Sequence, residues 1–244
     1  ASDWTAALDQ LQDLCPNVTS ASLVVSWFGD DLRCGQCRLR PKVETDWKIT
    51  TPEAWSAGGV SRGAAEVVSQ VDGMPAFGGT PSDASVVRAI RDMKARGLRT
   101  VFYPFVMMDI AADNAMTDPW SGAASQPAYP WRGRITCSPA AGRAGSVDKT
   151  AAAATQVVGF FGAAAAGDFH VVGNRVSYSG PEEWSYRRMI LHYAHLCAAA
   201  GGVDAFLIGS ELKGLTQIRS DASTYPTVAA LKTLAGDVAG ILGS

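Results

Sequence analysis

The sequence predicts an α/β fold with parallel strands, and three observations carry that prediction. Short, nearly continuous apolar runs recur at Ala21 to Phe28, Arg99 to Met107 and Val203 to Ile208, the profile of strands buried on both faces of a sheet. Helical periodicity stands between them, and glycine closes the helices at Gly97 and Gly201-Gly202, giving the order helix, Gly, strand, loop, helix. No strand is followed by G-x-G-x-x-G or a Walker lysine, which weakens the nucleotide-binding open sheet. A closed barrel has eight strands. Three strands and a weaker one near Ala65 to Val71 therefore amount to about half a barrel or to an open doubly wound sheet.

Taken in order, Asp3 to Cys15 places Trp4, Leu8, Leu11 and Leu14 at helical spacing, and Pro16 stops the helix. The first strand ends at Gly29-Asp30-Asp31. From Asp30 to Thr80 prolines and glycines break the pattern into loops, a hairpin and the weak strand. Thr80-Pro81-Ser82-Asp83 is a helix start, Val86, Val87, Ile90 and Met93 form its apolar stripe, and Gly97 its stop. An excursion of about 108–180 follows the second strand, containing an Ala-rich helix from about Val147 to Ala166. Pro181-Glu182-Glu183 reads as the first turn of a helix running to Ala200, and Thr227 to Ile241 as the last helix.

Composition narrows the function. With 244 residues, 47% apolar and 18% charged, the chain supports one large core, and a single domain over 1–244 is expected. A net charge of −2 and no basic stripe argue against nucleic acid as a direct ligand. The N-terminal segment lacks the pattern of a secretory signal, and Ala151 to Gly167 is too short and too weakly apolar for a membrane span. Five scattered cysteines do not form a disulfide framework, and Cys34-Gly-Gln-Cys37 reads as an exposed turn with two thiols. No second cysteine pair or spaced histidines complete a metal site, so neither metal nor cofactor is expected. His192 and His195 read as packed residues on a helix. No G-x-S-x-G elbow or H-E-x-x-H motif is present.

The sharpest feature is FLIGSEL, Phe206 to Leu212, where a strand delivers Glu211 to its C-terminal tip, the face on which barrel enzymes build their sites. A carboxyl there can act as general acid, or it can cap the next segment or pair with Lys213 or Arg219. Asp30, Asp31 and Asp109 also follow strands and would share that rim, although aspartates in turns often bond their own backbone. Aromatic residues suited to a sugar platform are Trp27 at a strand end and Tyr129 and Trp131 in the long loop, beside Arg132. Tyr103 and Phe105, within a strand, read as packing.

Five segments together resemble one family: SLVVSWFGDDL, AFGGTPSDASVVRAIRDMKARGL, FYPFVMMDI, QPAYPWRGRITC and FLIGSELKGLT. They resemble the glycoside-hydrolase-like TIM-barrel domain of the host-specificity, or hub, protein at the tail tip of gene transfer agents and related phages. The resemblance implies a (β/α)8, glycosidase-type barrel of which the N-terminal part is present, incomplete at the C-terminus. It implies a protein made in the bacterial cytoplasm that acts extracellularly at the tail tip of a phage-like particle. Its partners would be host-surface or cell-wall polysaccharide and other tail and baseplate proteins, with a homotrimer in the assembled tail. Glu211 matches the acid/base position at the fourth strand of the related glycosidases if the weak strand near Val67 is counted, and the second carboxylate would lie beyond Ser244. The residues before Glu211 are Gly-Ser, where that clan commonly has Asn, a departure from the pattern of the hydrolases. The alternative is a catalytically inactive structural or adhesive scaffold.

Overall fold

The structure is a computed structural model that describes residues 2–243. Helix α1 (Asp3–Leu14), capped by the Ser2 side chain on the Thr5 amide, passes into strand β1 (Ser20–Gly29). Short pieces follow: β2 (Leu39–Arg40), β3 (Lys42–Val43), β4 (Ser56–Ala57), β5 (Val60–Ser61), β6 (Glu66–Val67), β7 (Gln70–Val71) and β8 (Met74–Pro75). Helix α2 (Asp83–Ala95), capped by Ser82, leads to β9 (Arg99–Met108). After a long irregular stretch come α3 (Ala151–Phe161), β10 (Phe169–Val172), β11 (Arg175–Tyr178) and α4 (Tyr186–Ala199). The chain then forms β12 (Ala205–Phe206), α5 (Lys213–Thr216) and α6 (Pro226–Leu242).

The main sheet has the order β12-β9-β1-β2, with β12, β9 and β1 parallel and β2 antiparallel. Ser20 stands opposite Arg99 and Gly29 opposite Met108, so both long strands end together at one rim. Phe102 packs on Tyr193 and Phe206, and Trp27 on Trp184, His192 and Tyr193, which fixes the helices to one face. The other face carries Val24 of β1 and Val101, Tyr103, Phe105 and Met107 of β9. Val24 is 50% exposed, and burial along β9 alternates residue by residue. The expectation of strands buried on both faces is therefore corrected, because helices cover only one side. The outer edge of β1 pairs only at Phe28 and Gly29, so the described residues form an open sheet and not a closed barrel.

Four other expectations change. The weak strand near Val67 does not join the sheet: β6 pairs with β3, and β7 turns back on β8 through Asp72 and Gly73, both at positive φ. Glu211 thus follows the third parallel strand of the described sheet, which removes the fourth-strand match. Helix α4 starts at Tyr186, later than Pro181, because Ser185 is its cap and the Glu183 carboxylate accepts instead from the Ala163 and Ala164 amides. Helix α3 is shorter than expected and ends at Gly162, which has φ +74. Cys34 and Cys37 are buried rather than exposed. His192 is buried against Asp83, its Nε2 2.9 Å from Oδ1. Among the described residues no helix is long and apolar enough to cross a membrane.

Candidate functional site

At the rim, the segment after β12 meets the turn at 131–135, and two glycines permit the approach. A Cβ on Gly214 would stand 2.5 Å from the Ile135 carbonyl oxygen, and one on Gly133 2.4 Å from the Trp131 ring. With both absent, α5 lies against the turn and the Trp131 ring folds over Gly133. Tyr186 donates its hydroxyl proton to the Ile208 carbonyl at 2.7 Å and fixes the strand end. Glu211 then adopts φ +54, a costly conformation for a non-glycine residue and one that clusters at functional sites.

Glu211 meets two of the residues expected beside it. The Trp131 indole N–H donates to Glu211 Oε2 at 2.6 Å, and the Arg132 guanidinium lies 3.0 Å from the same oxygen. Arg132 is buried and also donates to the Ser210 carbonyl at 3.2 Å, the Ser210 hydroxyl at 3.0 Å and the Tyr103 hydroxyl at 3.2 Å. Its guanidinium carbon sits 3.6 Å from the centre of the Phe105 ring. The Tyr103 and Ser210 hydroxyls are hydrogen-bonded to each other. A desolvated cation on an aromatic face contributes up to about 2 kcal/mol. An ion pair to an exposed carboxylate contributes less than about 1 kcal/mol. Arg132 is therefore held by the sheet, and Glu211, 53% exposed in its side chain, can exchange partners with a ligand while Arg132 stays in place.

The remaining expected residues lie elsewhere. Asp109 is buried; it accepts from Lys42 Nζ at 3.0 Å and from the Ser69 hydroxyl at 2.5 Å, and Ser69 meets the Tyr129 hydroxyl at 3.0 Å. Tyr129, at φ +46, packs edge-on against Phe77. Asp31 is buried and clamps Arg33 through both oxygens while accepting from Gln126. Asp30 accepts from the Arg38 amide at 2.7 Å, and burial raises its pKa above the ordinary carboxylate value against the lowering effect of that amide, Arg40 and Lys42. Trp27 is fully buried on the helix-covered face, so it is a core residue and not a sugar platform. Among the described residues, no group of three or more His, Cys, Asp or Glu converges as a metal ion would need.

Tyr103, Phe105 and Ser210 support this site, and the sequence reading missed them. The missed signal was the period of two along β9, which sets Tyr103 and Phe105 on the face opposite Phe102. The family profile described as a GTA TIM-barrel-like domain matches residues 184–244, the stretch from Trp184 through α4, β12, Glu211, α5 and α6. That stretch is similar to a TIM-barrel-like domain of gene transfer agents. It contains Glu211 but not Trp131 or Arg132. No curated protein matches the chain.

Proposed function

We propose that this chain is a glycan-recognising, TIM-barrel-like domain of a tail-tip hub protein in a gene transfer agent or related phage-like particle. The carrying observation is the half-exposed Trp131 ring with its N–H on Glu211, beside a guanidinium fixed from below by Phe105, Tyr103 and Ser210. A flat ring beside a carboxylate and a cation suits a pyranose, which offers an apolar face and a rim of hydroxyls. The likeness of residues 184–244 to a gene transfer agent domain supports the particle context, in which host-surface or cell-wall polysaccharide is the ligand and other tail proteins, with a homotrimeric assembly, are the partners.

The cluster at Glu211 carries the binding reading, and hydrolysis is tested beside it. Glycoside cleavage needs two carboxylates roughly 5 to 9.5 Å apart. Among the tip acids, Asp30, Asp31 and Asp109 each accept internal hydrogen bonds, and Glu211 alone has an exposed side chain. The test is co-sedimentation of the protein with purified sacculi and with capsule, together with release of soluble sugar, for the parent and for Glu211→Gln. Binding without sugar release is expected, weakened in Glu211→Gln. Sugar release by the parent that the variant lacks would make the protein a hydrolase, and absence of binding would leave a scaffold.

A further inference from the structure

The segment that carries Trp131 and Arg132 continues to Cys137, where it runs beside the chain leaving β1. Arg33 and Thr136 form a parallel bridge: the Cys34 amide donates to the Thr136 carbonyl at 2.8 Å, and the Thr136 amide to the Leu32 carbonyl at 2.9 Å. Cys34 and Cys137 are the next residues along both chains. The bridge brings the two backbones to about the 4.8 Å spacing of paired strands at Arg33 and Thr136, and Cys34 leaves it into a turn while Cys137 continues beside it. Disulfide partners have Cα atoms about 4.4 to 6.8 Å apart. Both residues belong to one buried apolar cluster.

We propose that Cys34 and Cys137 form a disulfide when the protein meets an oxidising medium, tying the Trp131 segment to the end of β1. Cys37, a turn further on, is the rival partner. Burial and then the charge of Cys137 push the Cys34 thiol up to about 12, whereas after burial Cys37 responds to Asp30 and Asp31. The backbone bridge, which joins the Cys34 and Cys137 segments, favours Cys137 as the partner. An opening of about 250 Å3 is lined by Arg33, Gly35, Gln36, Ser138 and Gln156, the sequence neighbours of both cysteines among them, while the two thiols are buried, so exchange proceeds through local opening of this segment. The other two cysteines stand apart: Cys15 is exposed after α1, and Cys197 is buried on α4.

The oxidant is a small-molecule disulfide. One cysteine loses its proton and attacks it, forming a mixed disulfide and expelling one thiolate. The second cysteine, also deprotonated, displaces the other thiolate, so two cysteine thiols are oxidised and the reagent becomes two thiols that take up the two protons. The high pKa of Cys34 makes the exchange slow near neutral pH and faster as pH rises. Closing a loop of roughly 100 residues is expected to raise Tm by roughly 10 °C.

The test is native incubation of the full chain with oxidised glutathione, alkylation of remaining thiols under denaturing conditions, and peptide mapping. A Cys34–Cys137 peptide pair lighter by two hydrogens is expected, with a Tm increase that reductant reverses. The link should persist in Cys37→Ser and vanish in Cys34→Ser and Cys137→Ser. Alkylation of all five cysteines after native oxidation, or a Cys34–Cys37 link, would overturn the proposal. Mapping of the unsubstituted protein decides the matter even if a serine variant fails to fold.

Discussion

Two polar clusters stand at the strand tips, built from the same kinds of residue and put to opposite uses. Around Asp109, a carboxylate, an ammonium group and two hydroxyls close on one another: Lys42 and Asp109 are both buried, and the bonds run on to Ser69 and Tyr129 and, through Lys42, to Glu66. Around Glu211, a carboxylate, a guanidinium and two hydroxyls are arranged with the cation buried and the acid exposed. The first arrangement holds a loop to the rim of the sheet. The second presents an acid and the half-exposed Trp131 on a fixed support. Standing at the end of a strand does not make a carboxylate available; its neighbours decide that.

The contrast can be broken most sharply at Asp109. Asp109→Ala removes the buried partner of the Lys42 ammonium, leaving it the more exposed Glu66 at 3.5 Å, and deprives the Ser69 amide and hydroxyl of their acceptor, so an unfolding free energy lower by about 2 kcal/mol is expected in urea titration. A loss under about 1 kcal/mol would show that the inner cluster is no anchor. Next in size is Trp131→Ala, which should reduce glycan affinity roughly tenfold or more while changing stability by less than about 1 kcal/mol. Glu211→Gln should alter stability by less than about 1 kcal/mol because the pair is half exposed, and added salt should produce little further change in the variant.

The smallest effect concerns Asp30. Its carboxyl has a pKa raised by burial in the folded state, so the folded protein holds its proton to higher pH than the unfolded chain. Stability from this group therefore falls as pH rises from the ordinary carboxylate value through the folded one, and stays at the lower level above it. Asp30→Asn, which keeps an acceptor for the Arg38 amide, should be slightly more stable than the parent at neutral pH, with the advantage gone below the ordinary carboxylate pKa. Denaturant midpoints at two pH values check it, and an advantage that grows on acidification would contradict it.

Long elements were legible in the sequence because their signals are local. Trp4, Leu8 and Leu11 at helical spacing, Ser82 before Asp83, and the apolar run of β9 are each enough to place their element. The apolar run of β9 hid its period, since Tyr103 and Phe105 are as apolar as the buried Phe102 and only the single layer of helices separates the two faces. The hairpin β10–β11 was missed although Gly173-Asn174 between valine-containing strands is a turn signal. Of the site, Glu211, Trp131 and Arg132 were legible as residue types near a strand tip, but their meeting depends on the contact of Gly214 with the 133–135 carbonyls across the fold. Trp27 was misplaced because a tryptophan at a strand end can face either side, and here it faces Trp184 and the helices. The partners of Asp31 and Asp109, Gln126 and Ser69, are distant in sequence and carry no motif.

The most direct test of the open cluster is a comparison of two exposed tryptophans. Affinity for purified sacculi and capsule is measured by co-sedimentation for the parent, Trp131→Ala and Trp47→Ala, the latter removing a ring that is 78% exposed but outside the cluster. The account predicts that Trp131→Ala loses binding and that Trp47→Ala retains the parent affinity. Equal affinity in all three proteins would contradict it and place any glycan contact away from Glu211 and Arg132.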